Sequence, residues 1–74
     1  MVLADGKIGQ SYHVDEIKLE EDLKRRLQIL GLTQGTSLEL LNRKRNGSVI
    51  FKVRGTRFAI GKHVACGIEV YDNE

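Results

Sequence analysis

The sequence Leu-Lys-Arg-Arg-Leu-Gln-Ile-Leu-Gly-Leu-Thr-Gln-Gly at residues 23–35 predicts one helix and the signal that ends it. Leu23, Leu27 and Leu30 are spaced at i, i+4 and i+7, which places them on one face of a helix. Acidic residues precede the basic ones along this segment, an order that the helix dipole favours. We therefore predict one α-helix near residues 20–30, with a leucine face that packs inward and a charged outer face.

A glycine directly after the last of these leucines predicts where the helix stops. Gly31 can adopt the left-handed backbone conformation that often follows a helix, because it has no Cβ atom to clash. In the Schellman cap that this predicts, Leu27 and Leu32 make the accompanying apolar contact. Gly35, at the end of the same stretch, is assigned to the same structural group.

Five other short segments alternate apolar and polar residues, which is the period of a half-buried strand. The alternating apolar positions are Tyr12, Val14, Leu38, Leu40, Val49, Phe51, Val53, Phe58, Ile60, Ile68 and Val70. Strands this short, separated by closely spaced turns, are best accommodated in a small barrel, because closure removes exposed strand edges. We predict an all-β fold, a small, strongly bent barrel of about five short strands with one inserted helix.

The connections between the strands carry further expectations. Asn46-Gly47 predicts a type I′ hairpin turn, in a loop that its polar neighbours make longer than two residues. Arg54-Gly55-Thr56 predicts a second tight turn. Residues 61–67 lie between glycines and are too few for a regular helix, so we expect a single 3₁₀ turn there. Residues 1–8 form no convincing element.

Length and composition limit the classes of function. Seventy-four residues make one domain, residues 1–74, with residues 1–8 and 72–74 expected to fray. The one cysteine cannot form an internal disulfide, no apolar run could span a membrane, and the N-terminus lacks the features of a signal peptide. We therefore expect a cytoplasmic protein without membrane insertion. The net charge of +2 is too balanced to indicate nucleic acid by itself.

The sequence offers no catalytic constellation, so we do not expect an enzyme. Its paired carboxylates are sequence neighbours and are interpreted as a solvated face rather than an acid–base pair. His63 and Cys66 are three residues apart and would share one helical turn, with His13 as a third metal ligand. Structural zinc sites usually have four such ligands. We assign no metal site, keep these three residues as weaker candidates, and interpret Cys66 as a small core residue.

The densest basic group is Arg43-Lys44-Arg45, in the predicted hairpin. Such a group could contact the phosphates of a nucleic acid. Phe51 and Phe58 are expected to point inward, however, so no aromatic stacking platform accompanies the charges. We interpret the group as a solvated hairpin and keep a nucleic-acid-binding barrel that uses residues 43–57 as an alternative function.

Several of these residues resemble the motifs of a known family. Arg26-Leu27, Leu30-Gly31-Leu32 and Gly35 resemble the Arg-Leu-x-x-Leu-Gly-Leu-x-x-Gly core of the ferrous iron transport protein A (FeoA) family. Val53-x-Gly55 and Ala65-x-x-Ile68-x-Val70 resemble its mid-domain turn and its closing strand, so that the resemblance covers nearly the whole chain. The chain departs from the family pattern at turns where prolines are frequent, because it has no proline.

The resemblance implies an SH3-like barrel and a small cytoplasmic accessory protein of bacterial ferrous iron uptake. It implies one partner, the cytoplasmic, GTPase-bearing region of the ferrous iron transporter FeoB. No active site carries over from the family, and no cofactor is expected beyond a weak association with Fe(II) or another transition metal. The oligomeric state is left open.

We therefore hypothesise a protein-interaction module that regulates ferrous iron transport. The alternatives are the nucleic-acid-binding barrel and a metal-sensing module. Two surfaces could meet the partner, the outer face of the predicted helix and the basic hairpin. The candidate partner-binding residues are Lys24, Arg25, Gln28, Arg43, Lys44 and Arg45.

Overall fold

The structure, a computed structural model, describes residues 1–72. A 3₁₀ turn at Leu3–Asp5 precedes five strands and two helices. The strands are β1 (Ser11–Ile17), β2 (Ser37–Arg43), β3 (Val49–Val53), β4 (Thr56–Ile60) and β5 (Ile68–Asp72), and the helices are α1 (Glu21–Ile29) and α2 (Lys62–Cys66). Neither helix in this part of the chain has the length and apolar character needed to cross a bilayer.

All five strands form one antiparallel sheet in the order β4-β3-β2-β1-β5. Their inner faces contribute to a single buried apolar cluster, so the sheet curves around its own core. This mostly β architecture with one inserted helix of nine residues confirms the predicted fold class. The strands do not close into a complete barrel, since β4 and β5 are the two edges of the sheet within residues 1–72.

The core of the described chain is entirely apolar. Fourteen apolar side chains are buried, and no buried charged or polar residue accompanies them in residues 1–72. Phe58 and Ile60, which were expected inside the barrel, are half-buried and pack against the core from the β4 edge. Tyr12 brings a hydroxyl into the core, and this oxygen accepts a hydrogen bond of 2.8 Å from the backbone N–H of Lys7. The hydrogen bond offsets the cost of burying the hydroxyl.

A β-bulge in β1 decides which of its side chains face the core. Val14 and Glu16 pair with consecutive residues of β5, which leaves Asp15 as the extra residue. The inward phase of the strand therefore shifts by one position after the bulge. As a result Ile17 is buried, whereas strict alternation would have turned Glu16 into the apolar core.

The N-terminal segment differs from the expectation of a frayed end. Leu3 lies in the 3₁₀ turn and is 0% exposed, and Val2 forms a β-bridge with Glu69. Ile8, in contrast, is 55% exposed. The local sequence pattern gave no sign of this difference, because the 3₁₀ turn packs on α2 and β5, which are remote in sequence. At the other end, Asp72, which was also expected to fray, is the last residue of β5 and pairs with Tyr12, and the expectation for residues 73–74 lies outside the described residues.

Helix α1 ends in a Schellman cap. The backbone N–H of Gly31 donates to the carbonyl oxygen of Gln28 at 3.0 Å, and that of Leu32 donates to Leu27 at 2.9 Å. Gly31 has φ +107°, and both leucines are buried. These contacts fix the end of the helix and direct the chain back toward the sheet.

The inward face of α1 is narrower than the leucine spacing predicted. Leu27 is buried and Leu23 is half-buried, but Leu30 is 51% exposed. The prediction that Leu30 packs inward was wrong: Leu30 is the C-cap residue and keeps the helical direction, whereas the turn at Gly31 brings Leu32 into the core in its place.

The type I′ turn lies in a different place from the one predicted. Such a turn needs positive φ at both central residues, and this occurs at Arg54 (φ 52°) and Gly55 (φ 83°), between β3 and β4. In the Asn46-Gly47 loop only Gly47 has positive φ. That loop is longer than two residues, as expected, because it is closed by a hydrogen bond of 2.8 Å from Lys44 N–H to the carbonyl oxygen of Ser48.

The segment between β4 and β5 also differs from its prediction. Residues 62–66 form the short α-helix α2 rather than a 3₁₀ turn. The backbone N–H of Ala65 donates to Gly61 at 3.0 Å, which is the i to i−4 bond of an α-helix. Burial of Ala65 in the core anchors a helix that would be too short to form in isolation.

Replacement of Leu3 tests the role of the N-terminal segment. We expect Leu3→Ala to lower the free energy of unfolding by about 2–4 kcal/mol, because it leaves a cavity in the core. The matched control Ile8→Ala should change it by less than about 0.5 kcal/mol, since Ile8 is exposed. Urea denaturation measures both values, and equal losses would contradict the structure.

Replacement of Gly31 tests the helix cap. Gly31→Val should lower the free energy of unfolding by more than about 1 kcal/mol, because a β-branched residue resists positive φ. Thr56→Val, at an exposed strand position, is the control for adding a valine to the surface and should be nearly neutral. A neutral result at Gly31 would mean that the cap does not hold the end of the helix.

Candidate interaction surface

Helix α1 packs on the core through Leu27, which leaves two accessible sides. One side faces β1 across a groove of about 290 Å³. Lys24 and Gln28 line this groove from the helix, and Asp15 and Glu16 line it from the bulge in β1. The groove therefore brings a basic residue and two carboxylates together and has no dominant sign of charge.

The other side of α1 faces solvent and combines basic and apolar residues. Arg25, Arg26, Ile29 and Leu30 are all exposed, and Ile29 is 79% exposed. Residues four apart are neighbours on a helix surface, so Arg25 lies beside Ile29 and Arg26 lies beside Leu30. These four residues form the helix patch.

The structure thus separates residues that the sequence analysis had grouped together. Arg25 belongs to the helix patch, whereas Lys24 and Gln28 line the groove against β1. Ile29 was not among the residues predicted from the sequence to meet a partner, although its position in the helix indicates an outward side chain. Ile29 follows the inward residue Leu27 by two positions, which turns it by about 200° around the helix axis.

The basic hairpin at the end of β2 is partly engaged by the fold. The guanidinium of Arg43 donates a hydrogen bond to the carbonyl oxygen of Gly6 in the N-terminal segment. Lys44 and Arg45 are exposed on the loop. Arg43 therefore connects two remote parts of the chain, and the other two predicted residues remain accessible for binding.

Lys62 joins this hairpin from α2, which the sequence analysis did not anticipate. A Cβ atom on Gly47 would lie 2.7–2.9 Å from three carbons of the Lys62 side chain, so the aliphatic stem of Lys62 crosses the loop at this glycine. The exposed basic residues at this end of the molecule therefore include Lys44, Arg45 and Lys62, beside Arg43, which is also exposed but donates its hydrogen bond to Gly6. We call Lys44, Arg45 and Lys62 the hairpin cluster.

The outer face of the sheet carries a polar groove of mixed charge. Ser11, Glu39 and Lys52 are neighbours across β1, β2 and β3 and line a groove of about 480 Å³. Phe51 is buried, and Phe58 packs against it with ring centroids 5.7 Å apart. The carboxylate of Glu39 thus lies among the basic residues of this groove, and neither phenylalanine offers an exposed ring for stacking on a base. This arrangement does not favour the binding of nucleic acid.

The candidate metal ligands are not brought together. Residues 1–72 contain no group of three or more His, Cys, Asp or Glu side chains that could hold a metal ion. His63 and Cys66 lie on α2, whereas His13 lies on β1, where its ring stacks on Tyr71 with centroids 5.3 Å apart. The interpretation of Cys66 as a core residue was wrong, because Ala65 is the residue of α2 that is buried and Cys66 is exposed.

This fold, with its charged and apolar groups on the outer surface, defines a small SH3-like β domain. A family model described as the FeoA domain matches residues 1–72, and the chain belongs to the FeoA family. The resemblance seen in the sequence is thereby confirmed. No curated protein sequence matches the chain significantly.

Three solved structures of FeoA proteins share the fold. The FeoA protein from Chlorobium tepidum is 29% identical to this chain with a TM-score of 0.90, and the match covers 97% of this chain and 70% of the C. tepidum chain. An iron uptake regulatory protein (FeoA) is 31% identical with a TM-score of 0.85, covering 95% and 93%. Stenotrophomonas maltophilia FeoA, complexed with zinc and described as a procaryotic SH3 domain protein, is 25% identical with a TM-score of 0.82, covering 96% and 89%.

Replacement of Arg43 separates its structural contact from any binding role. We expect Arg43→Ala to lower the free energy of unfolding by about 1 kcal/mol, because the carbonyl of Gly6 loses its charged donor. Arg45→Ala, on the same hairpin, should change it by less than about 0.5 kcal/mol. Thermal and urea unfolding measure both, and an unchanged Arg43→Ala variant would show that this hydrogen bond does not stabilise the fold.

Proposed function

We propose that this protein is an accessory protein of ferrous iron uptake that acts as a protein-interaction module. The observation that carries the proposal is the match of the FeoA domain to residues 1–72. One similar protein is described as an iron uptake regulatory protein. Another is described as a suggested activating factor of bacterial ferrous iron transport. These descriptions support a role for this chain in the same process.

The partner in this proposal is the cytoplasmic, GTPase-bearing region of the ferrous iron transporter FeoB. The chain would act in the cytoplasm as a single domain, and its exposed free thiol at Cys66 is compatible with that reducing compartment. The exposed charged and apolar residues of the helix patch and the hairpin cluster are the surfaces available for the contact.

The proposed role is one of binding rather than catalysis. In the described residues every buried side chain is apolar, and the charged groups lie on the surface. General acid–base chemistry needs titratable groups held within hydrogen-bond reach of a bound substrate. The His, Cys, Asp and Glu side chains of residues 1–72 form no group of three or more that could hold a resident metal ion either. Iron is therefore the cargo of the transporter in this proposal, not a cofactor of this chain.

A titration against the transporter tests the proposal. The purified protein is added to the isolated cytoplasmic region of FeoB from the same organism, in the nucleotide-free, GDP-bound and GTP-analogue-bound states. We expect a dissociation constant below about 100 μM in at least one state, as measured by calorimetry. A soluble GTPase unrelated to the transporter is the control and should not bind. Failure to bind in all three states would refute the proposed partner.

A further inference from the structure

The stability of the fold does not explain the helix patch. Ile29 and Leu30 lie outside the buried cluster, and the helix cap uses Leu27 and Leu32 instead. Isoleucine is a poorer helix former than lysine, arginine or glutamine. At an exposed helix position it also gains little from burial of apolar surface. A polar residue would therefore serve the isolated domain at least as well as Ile29 does.

We propose that the helix patch binds a short acidic amphipathic segment of a partner protein. In this contact the apolar side chains of the segment cover Ile29 and Leu30, and its carboxylates meet Arg25 and Arg26. The inference rests on the proposed function and deepens it, because it names the surface of this chain and the chemistry of the segment that the transporter must present.

The placement of the arginines determines the charge of this segment. Arg25 and Arg26 each lie beside one of the two exposed apolar side chains. A guanidinium presents a planar set of donors that matches a carboxylate with two parallel hydrogen bonds. Arginine is also enriched among the residues that dominate binding energy at protein interfaces. An apolar side chain flanked by carboxylates is therefore the complementary ligand.

The charge along α1 favours a protein segment over an extended anionic surface. Glu21 and Asp22 occupy the first turn of the nine-residue helix. Asp22 precedes Arg25 by three residues, which is about 4.5 Å along the helix axis. This separation is shorter than the screening length of about 8 Å at physiological salt. A lipid bilayer or a nucleic acid that reached the arginines would therefore also be repelled by these carboxylates, whereas a short segment can avoid them.

The fold holds the helix patch in a fixed position. Beyond the cap, the hydroxyl oxygens of Thr33 and Thr36 are 2.8 Å apart and share a hydrogen bond. The backbone N–H of Gly35 donates to the carbonyl oxygen of Val14 in β1 at 2.7 Å. The loop after α1 is thus fastened to the sheet. Binding to a rigid helix requires little ordering of this chain, and this preserves affinity.

The hairpin cluster provides a matched control surface. Lys44, Arg45 and Lys62 are basic and exposed like Arg25 and Arg26. The exposed large hydrophobic residues in the described chain all lie elsewhere, at Met1, Ile8, Ile29, Leu30 and Tyr71. The two surfaces therefore share their positive charge, and the helix patch combines it with exposed aliphatic side chains on the same helix.

Binding of surface variants to the cytoplasmic region of FeoB tests the inference. We expect Ile29→Gln combined with Leu30→Gln, and Arg25→Glu combined with Arg26→Glu, each to weaken binding by about tenfold or more. Lys44→Glu combined with Arg45→Glu should weaken it less than about threefold. Circular dichroism melting checks that all three double variants remain folded, as expected for exposed positions.

Two other probes distinguish the remaining outcomes. The first is a synthetic helical peptide with leucines at heptad spacing flanked by glutamates, followed by NMR shift changes in α1. The second is a set of phosphatidylserine vesicles.

Binding of the wild-type protein to FeoB that only the hairpin variant weakens would overturn the inference and leave the proposed function intact. If FeoB does not bind at all, the proposed function fails. The inference then stands if the peptide shifts α1 in the wild type but not in the glutamine variant, and it falls if the peptide shifts nothing. Vesicle binding that depends on Ile29 and Leu30 would also overturn it.

Discussion

The contact between Leu27 and Leu32 at the end of α1 is the interaction on which the proposed binding surface depends. A helix of nine residues is marginal in water by itself, and Leu27 is its buried residue. Burial of each leucine contributes about 1.5–3 kcal/mol. The backbone hydrogen bond between the same two residues closes the helix and returns the chain to the sheet. Without this contact the helix would have neither a defined end nor a defined outer face.

Because α1 touches the core through so narrow a stripe, most of its surface is left for other contacts. Its two accessible sides differ in chemistry. On the side toward β1, Lys24 lines one groove together with the carboxylates of the β-bulge. The solvent side presents Arg25 and Ile29, with Glu21 and Asp22 in the preceding turn. The proposed contact therefore uses residues of α1 other than the leucine that holds the helix to the core, and each set can be changed separately.

The basic hairpin shows that charges grouped in the sequence can have different contacts in the fold. Arg43 is engaged by the carbonyl of Gly6, where it connects β2 to the N-terminal segment. Lys62, from a helix that follows the hairpin in sequence, lies across Gly47 and adds its charge to Lys44 and Arg45. The fold thus engages the guanidinium of one predicted residue within the molecule and adds a lysine that the sequence did not predict. Exposed aliphatic side chains on the same helix are the feature that distinguishes the helix patch from this cluster.

The sequence by itself determined the helix near residues 20–30, its end at Gly31, the FeoA family and the alternation of the strands, apart from the bulge in β1. These features follow from short-range requirements, namely apolar spacing and a residue that tolerates positive φ. Only the tertiary structure decided that Leu3 is buried, that residues 62–66 form a helix, and that Ile17 rather than Glu16 faces the core. It also decided which residues of α1 face β1 and which face solvent. Those outcomes depend on strand register and on contacts between segments remote in sequence, which no local pattern encodes.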